Sequence, residues 1–151
     1  MRSSKTSSAR STSSDRPIRA ASLGLSIGSV QDHASIQSAQ LPFAAVAVAE
    51  FNDANFQAAV LDQPGAVLVD VWASWCGPCL LMAPLMDWAA TAYAATLSVG
   101  KLESDANPFS RDGQKVQGLP TLILYRGGVE LARHEGAMAQ PQLQAFLDAH
   151  L

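Results

Sequence analysis

The chain of 151 residues has only two cysteines, Cys76 and Cys79, two residues apart. A secreted mini-domain held by a disulfide framework needs more cysteines at wider spacing, so that class is excluded. A bridge between residues this close restricts the unfolded chain little, so stabilisation is not its purpose. Zinc ligands are also short. One Cys-x-x-Cys supplies two of the usual four, no second pair exists, and His33, His134 and His150 lack ligand spacing to it. No metal and no cofactor are expected. No internal repeat is present. Long apolar runs are missing too: residues 23–30 are weakly apolar, broken by Gly and Ser, and too short to span a membrane. A basic domain surface is likewise absent. The formal net charge is −3. Residues 1–19 hold Arg2, Lys5, Arg10, Arg16 and Arg19 against Asp15 alone, which is +4 and leaves −7 for the rest. An acidic domain behind a short basic leader is not the pattern of a nucleic-acid binder.

What remains is enough for one domain with a core, not two. Residues 1–19 are rich in Ser, Thr and Arg and bury too little to offset the entropy of ordering, and 20–44 have no sustained period. The boundaries are therefore a leader over 1–44 and a domain over 45–151. Three readings of the leader stand: a disordered tail or upstream extension, an organelle transit peptide suggested by Arg and Ser without acids, and a weak secretory signal. The first is adopted.

From residue 45 the pattern becomes regular. Residues 46–48 form a short strand, and Asn52 or Asp53 caps a helix through Leu61. The apolar run 66–72 is a central strand buried on both faces. A helix kinked by Pro84 spans 79–95, a strand 97–102, and a poorer helix 107–116. Strands 121–125 and 129–134 join across Gly127-Gly128, and a helix closes the chain over 141–151. This order predicts an α/β domain, a mixed central sheet with helices on both faces.

Chemistry concentrates at Trp75-Cys76-Gly77-Pro78-Cys79. Cys76 opens a helix, where free N–H groups and the positive end of the dipole favour an anion, so its thiolate forms at lower pH than that of an ordinary cysteine. Cys79, one turn on, is placed to attack a mixed disulfide formed on Cys76. Cys76 is thus the attacking thiol and Cys79 the resolving one. Pro78 stiffens the turn and removes a donor that would otherwise help the thiolate. Asp70 lies inside an apolar strand, where burial raises a carboxyl pKa. It can act as a base toward Cys79, directly or through a water. The plain alternative is a strand-end aspartate facing solvent.

The segment Val67-Leu68-Val69-Asp70-Val71-Trp72-Ala73-Ser74-Trp75-Cys76-Gly77-Pro78-Cys79 resembles the active-site segment of the thioredoxin family. Lys101-Leu102, Asp105, Gly118-Leu119-Pro120-Thr121, Gly127-Gly128 and Gly136 continue the likeness in order, over about residues 46–151. The resemblance implies the thioredoxin fold and a buried carboxylate at Asp70 behind the resolving thiol. It also implies a cis peptide before Pro120, beside the disulfide, with the Leu119 backbone pairing with a substrate strand. Trp75, Gly77, Pro78, Leu119, Pro120 and Gly136 then form the docking surface. Trp75 has core packing as its alternative, although Trp72 is the better core candidate. Lys101 either pairs with Asp70 or is a solvated strand-end lysine. Two positions depart from the family. Leu80 stands where many members have Lys or Arg, and Ser104 occupies a rim position that is often apolar.

The function implied is reduction of disulfides in target proteins. Electrons would come from a thioredoxin reductase linked to NADPH or ferredoxin, with no nucleic acid or membrane as partner. The expected form is a monomer in the cytoplasm, or in the plastid stroma if the leader is a transit peptide. Two alternatives stand: an oxidase or isomerase, in which another residue usually replaces Pro78, and an interaction module that does not use its thiols.

Overall fold

The computed structural model describes residues 47–151, so the expectations for the leader and for residue 46 lie outside the described residues. Strand β1 (Ala49–Phe51) is followed by a π-helical turn (Gln57–Leu61), β2 (Ala66–Trp72), α1 (Gly77–Ala92), β3 (Leu97–Glu103), α2 (Pro108–Gly113), β4 (Thr121–Arg126), β5 (Val129–Glu135) and α3 (Gln140–Asp148). The five strands form one sheet in the order β1-β3-β2-β4-β5. β1 and β2 run parallel to β3, while β4 pairs antiparallel with both β2 and β5. This is the mixed sheet expected.

Each face has its own core. On one side Leu68, Val99, Leu122 and Leu124 meet Met82, Met86, Ala89 and Ala90 of α1 and Leu143 and Leu147 of α3. On the other, Phe51, Val67, Val69, Val71, Leu102 and Ile123 meet Phe56 and Val60 around the π-helical turn. Burial on both faces explains why β2 is apolar almost without interruption. Asp70 is the one ionisable residue in that strand, and it lies on the α1 side, where it lines a groove with Cys79 and Met86.

Several local expectations need correction. The first strand begins at Ala49 rather than before it. The helix expected up to Leu61 is a single π-helical turn. Asn52 does cap its approach, its Oδ1 accepting from the N–H groups of Ala54 and Asn55 at 3.0 and 2.9 Å. Asp53 instead reaches across the chain and accepts from the N–H groups of Ser110 (2.7 Å) and Phe109 (3.3 Å), so it caps the first turn of α2. Residue spacing could not show that partner, 56–57 positions away. α1 starts at Gly77, continues through Pro84, and ends three residues short of the expected end. The β4–β5 hairpin turns on Gly127 and Gly128, with φ of +57° and +76°, the backbone a two-residue primed turn requires.

Candidate active site

β2 delivers the chain to the cysteines and α1 carries them away. Cys76 is the N-cap residue of α1, with extended backbone (φ −87°, ψ 103°). Its Sγ accepts a hydrogen bond from the Cys79 N–H at 3.3 Å. One of the orphan donors of the helix terminus is therefore aimed at the sulfur that would carry the thiolate charge. The two sulfurs are bonded to one another. Both cysteines are buried, 5% and 3% exposed, against Ala73, Trp72 and Leu119. The intervening Gly77 and Pro78 are exposed, as is Trp75 at 68%. The pair is thus a recessed disulfide beneath an exposed collar.

The polypeptide returns to this collar from the far end of the sequence. The Leu119–Pro120 peptide is cis. The Pro120 carbonyl accepts from the Gly136 N–H at 2.8 Å, and Thr121 Oγ1 donates to the Gly118 carbonyl at 2.6 Å. Gly136 has φ +92°, a conformation that suits glycine. Leu119, half-buried, packs against the disulfide cluster. The Trp75 indole N–H donates to Asp105 Oδ2 at 2.7 Å. Trp75, Asp105, Gly118 and Leu119 line a shallow hollow of about 270 Å³. Trp75 is therefore a surface residue, not a core one. Ser104 does not stand on the rim. It is 2% exposed, lines the hollow, and donates its N–H to the Trp72 carbonyl at 2.8 Å.

A second opening, a groove of about 510 Å³, runs along α1. Asp70, Cys79, Trp72, Leu80, Lys101 and Glu50 are among its lining residues. Asp70 is 3% exposed and its Oδ1 has no hydrogen-bond partner among the described residues. Burial pushes its pKa up to about 7, with the nearby Lys101 ammonium opposing part of that rise. Asp70 is therefore not a solvent-facing strand-end residue. A buried carboxyl titrating near neutrality, in the same groove as one cysteine of a disulfide, can hold or release a proton beside that sulfur.

Lys101 follows neither of its two expectations. Its Nζ pairs with Glu50 at 2.9 Å rather than with Asp70, and sits 5.4 Å from the Trp72 ring centroid. Trp72 is only half-buried and forms a wall of the groove, with its Nε1 unpartnered among the described residues, rather than filling a closed core. Leu80 is 63% exposed on the same groove. Sequence reasoning missed Glu50 and the Trp75–Asp105 bond. Both depend on cross-strand or loop contacts that no local spacing encodes.

Comparison with known proteins agrees with this geometry. The family model described as thioredoxin matches residues 47–149. The chain is 43% identical over 104 residues to a thioredoxin of Pseudomonas aeruginosa, covering 69% of this chain and 96% of that one. It is 44% identical over 102 residues to a thioredoxin-like protein of Synechocystis, covering 68% and 94%. It is 41% identical over 103 residues to a thioredoxin of Allochromatium vinosum, covering 68% and 96%. The recessed disulfide at a helix N-terminus, on a five-stranded mixed sheet, has its explanation here: the chain belongs to the thioredoxin family and is a thiol–disulfide oxidoreductase that reduces protein disulfides.

Proposed function

We propose that Cys76, Cys79 and Asp70 divide the reductase reaction among them. The observation that carries this reading is the unpartnered, buried Asp70 carboxyl in the groove that also reaches Cys79. In the reduced protein the Cys76 thiolate attacks one sulfur of a target disulfide. A mixed disulfide forms on Cys76 and one target thiolate leaves. Asp70, ionised, takes the proton of the Cys79 thiol directly or through a water. The Cys79 thiolate then attacks Cys76 Sγ, the second target thiolate departs, and the Cys76–Cys79 disulfide closes. Two electrons have passed to the target, whose thiolates are protonated from solvent or from Asp70.

The target docks as an extended segment across Trp75, Gly77, Pro78, Leu119 and Gly136, beside Pro120, which is itself buried. The Leu119 backbone supplies strand-like hydrogen bonds and the exposed Trp75 supplies apolar area. The packing of Leu119 against the disulfide cluster supports this arrangement, because it sets that backbone beside the two sulfurs. A thioredoxin reductase, NADPH- or ferredoxin-linked, restores the dithiol. The protein works as a monomer over a domain of residues 45–151, in the cytoplasm, or in the plastid stroma if residues 1–44 are a transit segment. N-terminal sequencing of the mature protein distinguishes the compartments.

Insulin reduction coupled to a reductase tests the assignment. Cys76→Ser abolishes turnover. Cys79→Ser accumulates a mixed disulfide with the target on Cys76. Undiminished turnover by Cys76→Ser refutes the reading.

A further inference from the structure

The sheet register places three charged residues in one row. Glu50 on β1 is opposite Lys101 on β3, and Lys101 is opposite Asp70 on β2. Directly paired residues share a face of a sheet, so all three side chains lie on the groove side, and all three line the groove. Lys101 stands between two carboxyl groups and is bonded to only one of them. Its ammonium is 2.9 Å from Glu50 Oε1 and is also held over the Trp72 ring. The Asp70 carboxyl, its other neighbour in the row, keeps an unpartnered oxygen.

We propose that Glu50 is a positioning residue for proton transfer at Asp70, holding the Lys101 ammonium at the mouth of the groove and off the buried carboxylate. This rests on the role proposed for Asp70 in the reductase reaction. The physical reason is a competition. An ammonium in contact with Asp70 would hold the carboxyl ionised and make it a poor proton acceptor. Glu50 offers the same ammonium a solvated partner at little desolvation cost, because the pair sits where both side chains are partly exposed, 38% and 67%. The buried carboxyl therefore keeps its affinity for a proton. The charged and titratable groups facing Asp70 are few. β3 brings Lys101, β1 brings Glu50, and α1 brings Cys79 and Asp87. β4 sets the apolar Leu122 beside Asp70, and the row continues to His134 on β5. Asp87 and Glu50 are both acids, so Lys101 is the one cation lining the groove among the described residues.

The test follows the Asp70 carboxyl by carbon-13 NMR in the oxidised protein, where neither cysteine titrates. Glu50→Gln frees the ammonium and lowers the Asp70 pKa by about one pH unit, and Glu50→Asp restores most of the shift. Lys101→Met moves the Asp70 pKa the other way. In the Lys101→Met background, Glu50→Gln has less than half its former effect, because its influence runs through the lysine. The acid limb of insulin reduction moves in the same direction as the NMR titration in each variant. An Asp70 titration unmoved by Glu50→Gln, or moved equally with and without Lys101, overturns the proposal. An Asp70 titration that moves while the acid limb stays still keeps Glu50 as the residue that sets Asp70 but refutes Asp70 as the base.

Discussion

Replacing Asp70 with asparagine should make the protein more stable at alkaline pH while making it a worse reductase. In the folded protein the Asp70 carboxyl titrates near 7, against 3.8 for an unburied aspartate. The folded state therefore holds this proton more tightly than the unfolded chain does. Stability associated with protonated Asp70 is fully present below pH of about 4 and is lost as pH rises through about 7. A displacement of roughly three pH units, at 1.36 kcal/mol each, sets the loss at up to about 4 kcal/mol. The asparagine amide is neutral at every pH and nearly the same shape as the carboxyl, so the variant escapes this loss. Urea unfolding of the oxidised wild type and Asp70→Asn, run at pH 4, 6 and 8, measures it. The two unfold alike at pH 4, the variant gains at pH 6, and the gain reaches its full few kcal/mol at pH 8. A difference that does not change with pH, or a variant less stable at pH 8, would refute the argument that burial of a charge governs Asp70.

The same substitution slows the resolving step by roughly 10²-fold, the usual scale for removing a positioned base, as seen by longer-lived mixed disulfide in stopped-flow measurements. Gly128→Ala costs about 3 kcal/mol in urea unfolding, because φ is +76° and an added Cβ would collide with the Leu61 carbonyl. Gly127→Ala meets open space, and its cost is only the roughly 1 kcal/mol of a left-handed backbone. Asp53→Ala removes the acceptor for the Ser110 and Phe109 N–H groups and lowers stability by about 1 kcal/mol. Trp75→Ala raises KM for insulin several-fold and leaves reduction of a small-molecule disulfide unchanged, since the indole lies on the exposed collar and not among the buried sulfurs.

Much of the architecture was legible because it is local. The run from Ala66 to Trp72 announces a strand buried on both faces, and Gly127-Gly128 announces a hairpin. Cys76 after a strand and before a helix announces a thiol at a helix N-terminus. Each depends on periodicity, turn chemistry or a cap within a few residues. The weak spots were local too. A segment with Phe56, Val60 and Leu61 on one side suggests a full helix, but Asp53 is drawn to α2 and only one π-helical turn forms.

The sequence by itself determined the reactive pair, the strand–helix junction that activates it, and the mixed sheet with helices on both faces. Tertiary structure alone decided how the buried carboxyl is governed. Asp70 could have faced solvent, and Lys101 could have paired with it. Instead β3 lies between β1 and β2, so a residue from the edge strand, Glu50, takes the lysine and leaves Asp70 with an unpartnered oxygen. Residues 50, 70 and 101 have no spacing that predicts their meeting. Only the strand order sets them in one row, and burial then makes Asp70 alone a group that titrates near neutral pH.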